Sequence, residues 1–228
     1  MKNLAIITAR GGSKRIPRKN IREFCGKPIM AYSIEAALKS GLFDEVMVST
    51  DDQEIAEIAI QYGAKVPFFR SAETSNDFAG TGDVLREVIS EYEKRGETFD
   101  FMCCIYPTAP FVTAEKLIDA YNMMNEKGAA SISPITAFSF PPQRGYYVRE
   151  EGLVQCDPES FPKRSQDLEK VYHDAGQFYF YRMSAWNVGG LHIPLIISES
   201  EVQDIDNYDD WEIAELKYQL MMRKLAEK

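Results

Sequence analysis

Apolar residues recur along this chain in two alternating rhythms. A short continuous apolar run at 4–8 and further strand-like segments at 45–49, 101–106 and 130–135 read as strands. Between them the apolar positions return every three or four residues, the spacing of one helix face. Ile34, Ala37 and Leu38 follow Pro28 and stop at Gly41, while Ile55, Ile58 and Ala59 follow a capping Asp51 or Asp52 and stop at Gly63. Val84, Leu85, Val88, Ile89 and Tyr92 form a third helical face, and Leu117, Ile118, Tyr121 and Met124 a fourth, running from Thr113 to Gly128. A short extended piece is expected at 66–69. Strands and helices alternating in this way predict parallel βαβ units.

From 138 to about 190 the rhythm breaks. Pro141, Pro142, Pro158 and Pro162 punctuate the segment, aromatic residues are frequent, and strand-like alternation returns at 176–181. This reads as an inserted hairpin or arm on a single α/β domain spanning 1–228. An arm rich in Phe and Tyr is suited to covering a second copy of the chain, so a homodimer is expected. The chain then returns with an extended piece at 195–197, an acidic turn at 204–210 and an amphipathic helix from Trp211 to about Lys224.

Composition narrows the classes. With 228 residues and 45% hydrophobic content the chain can bury one large core. A net charge of -9 argues against general nucleic-acid binding, which needs a broad basic face. Cys25, Cys103, Cys104 and Cys156 show no metal or disulfide spacing and read as reduced, mostly buried thiols of a cytoplasmic protein. No cleavable signal and no membrane-spanning run is visible.

The positive charge is local. Ala9-Arg10-Gly11-Gly12-Ser13-Lys14-Arg15-Ile16-Pro17-Arg18-Lys19-Asn20 directly follows the first predicted strand. Glycines let a backbone turn sharply and bring its N–H groups to an anion, and Arg10, Lys14, Arg15, Arg18 and Lys19 surround that turn with cations. The reading is a phosphate cradle; a solvated basic loop is the plainer alternative. The loop lacks both the Gly-x-x-x-x-Gly-Lys-Ser/Thr and the Gly-x-Gly-x-x-Gly patterns, so neither a Walker-type ATPase nor a dinucleotide enzyme is expected.

Asp204-Ile205-Asp206 is the second feature. In an extended stretch its two carboxylates point the same way and suit Mg²⁺, which takes one or two carboxylates and completes its shell with water and phosphate oxygens. The same residues also serve as an acidic turn capping the last helix. Pro107-Thr108-Ala109-Pro110 ends a buried strand, the edge where open α/β sheets bind ligands, and is equally an ordinary rigid turn. The loop 77–83, with Thr81, precedes a helix and could offer donors to a nucleotide. His173 is a proton-transfer candidate or simply hydrogen-bonds, while Arg164 and Gln177 are further polar groups for a sugar acid and His192 reads as packing.

Taken together, these residues resemble the family of CMP-sialic acid synthetases, the cytidylyltransferases that activate nonulosonic acids. The opening motif carries the resemblance, with Gly26-Lys27-Pro28, Val48-Ser49-Thr50-Asp51, Pro107-Thr108-Ala109-Pro110 and Asp204-Ile205-Asp206 in support. It implies a Rossmann-like, three-layer nucleotide-diphospho-sugar transferase fold with a dimerisation arm. It further implies that Ala9 to Lys14, Lys19, Asn20 and Thr81 bind CTP, that Arg10, Lys14, Lys19 and Asp206 act in the reaction, and that Asp204 and Asp206 hold Mg²⁺. Tyr106, Pro107, Thr108, Arg164, His173, Asp174 and Gln177 would meet the sugar.

Two departures bear on that sugar. Sialic acid enzymes usually carry Gln where this chain has Tyr106, and Asn-Gly-Ala where it reads Asp174-Ala175-Gly176-Gln177. The string from Tyr172 to Tyr179 instead resembles the pseudaminic acid enzymes, which implies a 5,7-diamino nonulosonic acid as acceptor. The expected reaction is attack of the anomeric hydroxyl on the α-phosphorus of CTP, with pyrophosphate leaving. Related acids, namely sialic, legionaminic and 3-deoxy-octulosonic, are alternative acceptors. A nucleotide-binding regulator without chemistry would need the cradle and not the carboxylate pair.

Overall fold

A computed structural model describes residues 1–227. Eleven strands form in chain order: β1 (Asn3–Thr8), β2 (Glu23–Phe24), β3 (Lys27–Pro28), β4 (Glu45–Ser49), β5 (Phe101–Ile105), β6 (Ser131–Ala137), β7 (Tyr146–Arg149), β8 (Gly152–Gln155), β9 (Tyr172–Asp174), β10 (Phe178–Arg182) and β11 (His192–Ile196). The helices are α1 (Ile29–Ser40), α2 (Gln53–Gln61), α3 (Ala72–Ser75), α4 (Thr81–Lys94), α5 (Ala114–Glu126) and α6 (Tyr208–Ala226).

The central sheet runs β11-β6-β10-β5-β1-β4, with β9 also paired to β6. β1 lies parallel to both β4 and β5, as the alternating pattern predicts. Successive side chains of a strand point to opposite faces, so an unbroken apolar run requires cover on both. Ala5 and Ile7 of β1 pack with Met30 and Ile34 of α1, Ile55 of α2 and Leu117 of α5. Leu4 and Ile6 pack on the other face with Val84, Leu85, Val88 and Tyr92 of α4. Three layers follow.

Local signals place the helix ends. The Asp52 carboxylate accepts the Ile55 N–H at 3.0 Å at the start of α2, and the Thr113 hydroxyl accepts the Lys116 N–H at 3.3 Å at the start of α5. Gly41, just past α1, sits at φ 63°, a left-handed conformation natural to glycine.

Two expectations change. Residues 66–69 form no strand: one bridge, Met47 to Lys65, reaches β4, and Pro67, lacking an N–H, ends the pairing. The segment 138–190 is also not one excursion. Phe178–Arg182 enters the sheet as β10, antiparallel between β5 and β6. Phe178 and Phe180 are buried on the α1–α5 face, while Tyr179 and Tyr181 pack toward α4, so this aromatic run is sheet interior. Only the stretch preceding β9 leaves the sheet, carrying the β7–β8 hairpin. Two cysteines, Cys103 and Cys104, are buried, Cys25 is half-buried and Cys156 is exposed.

A third cluster bears on function. Ile16 of the basic loop, Phe24 of β2, Ile29 and Tyr32 of α1, Phe111, Ile205 of the acidic turn, and Trp211 and Ala214 of α6 share one buried knot. Phe24 meets Tyr32, Trp211 and Tyr218 edge-to-face at 5.5 to 5.7 Å between centroids. Replacing Ile205, 1% exposed, by alanine deletes buried methylenes from this knot. The expected cost in urea unfolding is about 2–4 kcal/mol; a loss under about 1 kcal/mol would show the acidic turn is not anchored there.

Candidate active site

β1 and β5 are neighbours pointing the same way, so the loops leaving their C-terminal ends emerge side by side. The first is the basic loop; the second begins at Tyr106. Between them lies a pocket of about 440 Å³ lined by Thr8, Arg10, Ser13, Lys14, Arg15, Lys19, Asn20, Tyr106, Pro107 and Thr108. That size suits a nucleotide-sized ligand.

The loop's shape rests on carboxylates behind it. The Gly11 N–H donates to Asp51 Oδ1 at 2.8 Å, and a Cβ at Gly11 would lie 2.8 Å from Asp52 Oδ2, so that close approach requires glycine. Gly12 has no neighbour within 4 Å of where a Cβ would stand, and no packing requires glycine there. Arg18 turns away from the pocket. Its guanidinium donates to Asp52 Oδ1 at 3.0 Å and pairs with Glu54, which holds the Asp52 carboxyl below its usual range. Ala9 is fully buried, and its N–H donates to the Ser49 carbonyl at 3.0 Å, so its part is confined to backbone. Asn20, 7% exposed, spans the loop with Nδ2 on the Arg10 carbonyl at 2.8 Å.

The acidic pair joins the cradle from the far end of the chain. Lys19 Nζ donates to the Ile205 carbonyl at 2.7 Å, and Arg15 pairs with Asp206 Oδ2 at 2.7 Å. Burial pushes the Lys19 ammonium down, opposed by the Asp206 and Asp204 carboxylates beside it. Around the buried Ile205, Asp204 is exposed and Asp206 half-buried, the alternation of an extended stretch. Two hard oxygen donors on one side of the chain fit Mg²⁺, whose remaining positions water and phosphate would fill. Among the described residues no group of three or more His, Cys, Asp or Glu side chains that could hold a metal ion is found.

The loop before α4 supplies an anion of its own. Asp77 pairs with Arg10 at 2.8 Å and also with Lys14, and the Asn76 carbonyl accepts from Arg10 at 3.2 Å. Those two cations hold the Asp77 carboxyl below its usual range. Arg70, 8% exposed, stands behind Arg10 with NH2 on the Ser49 carbonyl at 2.7 Å, and burial pushes its guanidinium down. The composition of 70–80 gives little warning of either residue's place, because both are set by how that loop folds back over β4.

The sugar-side residues divide. Tyr106, Pro107 and Thr108 line the pocket, and the Tyr106 hydroxyl lies 3.2 Å from Thr81 Oγ1. Asp174 is not among the lining residues; it is held by Gly176 and by Tyr179, whose ring packs on Tyr106. His173 packs tilted against Phe138 with centroids 4.7 Å apart, its Nδ1 at 2.8 Å from the Asp174 carbonyl oxygen, and does not line the pocket. Gln177, expected as a sugar contact, is 2% exposed; its Nε2 donates to the Glu201 carbonyl at 2.6 Å and its own carbonyl accepts the Tyr106 N–H at 2.9 Å. It ties the strand edge to the segment leading into the acidic pair. Arg164, also expected there, lies exposed on the arm, paired with Asp167 at 2.9 Å. His192, read as packing, is exposed, with Nδ1 2.7 Å from Ser131 Oγ.

Comparison with known proteins bears on the family and the fold. Residues 4–189 match the family model described as cytidylyltransferase. The chain is 43% identical over 226 residues to the pseudaminic acid cytidylyltransferase of Campylobacter jejuni, covering 96% of this chain and 97% of that one. It is 35% identical over 244 residues to the CMP-N,N'-diacetyllegionaminic acid synthase of Legionella pneumophila, covering 99% of this chain and all of that one. The solved structure of CMP:2-keto-3-deoxy-manno-octonic acid synthetase with CTP superposes with a TM-score of 0.69 at 19% identity, over 98% of this chain and 100% of that one, a likeness of fold. The chain belongs to the cytidylyltransferase family.

Proposed function

We propose that this chain transfers CMP from CTP to the anomeric hydroxyl of a nine-carbon acid sugar, pseudaminic acid in the first instance, and releases pyrophosphate. The observation that carries this reading is the meeting of Arg10, Lys14, Arg15 and Lys19 in one pocket at the C-terminal ends of β1 and β5, with Asp206 paired to Arg15. The choice of sugar draws on the Campylobacter jejuni relative and its 43% identity. CTP is an intracellular nucleotide, so an intracellular location comes with the reading.

In the reaction the hydroxyl oxygen bonds to the α-phosphorus, the bond from that phosphorus to the bridging oxygen breaks, and the electron pair leaves on pyrophosphate. The hydroxyl proton passes to water. Arg10, Lys14 and Arg15 bind and orient the polyphosphate, and Lys19, fixed by the Ile205 carbonyl, directs its remaining N–H groups at phosphate oxygen. Pro107 and Thr108 shape the opposite wall, and Thr81 supplies a hydroxyl on the Tyr106 side. Mg²⁺ held by Asp204 and Asp206 would supply positive charge against the triphosphate and lower the pKa of a coordinated hydroxyl. The β7–β8 hairpin leaves Tyr146, Tyr147, Val148, Leu153 and Val154 exposed, an apolar surface that supports a homodimer.

Pyrophosphate release from CTP with pseudaminic, legionaminic, sialic and 3-deoxy-octulosonic acids tests the function. Turnover is expected with pseudaminic acid, lost on chelating Mg²⁺ and reduced about 10²–10³-fold in kcat/KM by Lys19→Ala or Asp206→Ala. No turnover with any of the four acids, or unchanged kinetics in Lys19→Ala, would refute it. Asp77→Asn removes the carboxylate that competes with phosphate for Arg10 and Lys14. The expected result is a KM for CTP about two- to fivefold lower, less marked at high salt, whereas a raised KM would assign Asp77 a direct part in binding.

A further inference from the structure

On the Tyr106 side of the pocket runs a row of polar groups, two of which, Tyr179 and Asp174, have no task in the reaction above. Thr81 Oγ1 lies 3.2 Å from the Tyr106 hydroxyl, and the Tyr106 ring meets Tyr179 edge-to-face with centroids 5.4 Å apart. The Tyr179 hydroxyl donates to both oxygens of Asp174, at 2.9 and 3.0 Å, and the Gly176 N–H donates to Asp174 Oδ1 at 2.7 Å. The Asp174 carboxylate is exposed at the end of β9, and these hydrogen bonds fix its plane.

We infer that Tyr179 is a positioning residue for sugar specificity, holding the Asp174 carboxylate as the acceptor for an amide N–H of an N-acylated sugar acid. This rests on the acid-sugar reading of the pocket. An ionised carboxylate only accepts hydrogen bonds and repels the phosphates and carboxylate of the substrates, which the cations of the basic loop take instead. Asp174 must therefore meet a neutral donor. A hydroxyl rotates to suit any neighbour, while a planar amide donates in one direction, so an acceptor of fixed orientation is matched to the amide. Asp174 Oδ2 accepts the Tyr179 hydroxyl alone, and Asp174 stays exposed, which leaves acceptor capacity for a ligand. Burial, with Tyr106 and Asp174 alongside, pushes the Tyr179 hydroxyl far above its usual range, so it remains a donor throughout the working pH. A site built around a polar partner discriminates strongly against a substrate lacking it.

Tyr179→Phe deletes only the hydroxyl, and Asp174→Asn replaces the acceptor pair. Calorimetry with pseudaminic acid, which carries amide donors, should show binding weakened about tenfold by Tyr179→Phe. Binding of 3-deoxy-octulosonic acid, which has none, should stay within about twofold, and so should the KM for CTP. The double variant should be no weaker than Asp174→Asn alone, because Tyr179 acts through Asp174. Equal losses for both sugar acids, unchanged pseudaminic acid binding, or full additivity of the two substitutions would overturn the inference. The calorimetric comparison needs no turnover, so an absence of pyrophosphate from the wild-type enzyme would count against the transferase reading alone.

Discussion

The site depends on one contact across 186 residues of sequence, the hydrogen bond from Lys19 Nζ to the Ile205 carbonyl. Neither end would hold its place unaided. Lys19 follows a left-handed residue, Arg18 at φ 58°, in a loop crowded with like charges, and the acidic turn lies in irregular chain before α6. What brings them together is apolar: Ile16 from the loop and Ile205 from the turn are buried in the same aromatic knot. Hydrophobic burial is non-directional and large, so it sets the approach, and the hydrogen bond and the Arg15–Asp206 pair set the register. Charges of opposite sign then face one another across a space where a metal–nucleotide complex would substitute for the present ion pairs.

Several of those cations have carboxylate partners. Arg10 and Lys14 meet Asp77, Arg15 meets Asp206, and Arg18 meets Asp52 and Glu54. The first three pairs are solvent-exposed and cheap to exchange for phosphate. The Arg18 pairs are built into the start of α2, where Asp52 also caps the helix. One loop therefore divides its positive charge between a permanent anchor and an exchangeable surface, and Gly11, pressed against Asp52, is the residue that permits both.

Much of this was legible in the sequence. The runs that became β1, β4 and β5 were largely apolar because helices cover both faces, and the capping residues Asp52 and Thr113 mark real helix starts. The glycine-rich basic loop and Asp204-Ile205-Asp206 were visible because their chemistry is local. Less legible were features decided by tertiary context. The aromatic run 178–182 reads as arm surface in one dimension, yet it is a sheet strand with both faces covered. Arg18 carries the same charge as Lys19, and only the backbone turn between them sends one to Asp52 and the other to the pocket. Gln177 looks like a ligand group by type, but its burial commits it to the Glu201 carbonyl. Asp77 was hidden for the same reason, its partners Arg10 and Lys14 lying far away in the chain, while Tyr179 reads as one more strand aromatic until the turn at Gly176 brings Asp174 onto its hydroxyl.

The central claim is that basic loop and acidic turn form one nucleotide site. A crystal structure with CTP and Mg²⁺ tests it most directly. The account predicts triphosphate oxygens within hydrogen-bond reach of Lys14, Arg15 and Lys19, with Asp204 and Asp206 among the ligands of the metal. CTP bound away from the 9–20 loop, or a metal held without either aspartate, would contradict it.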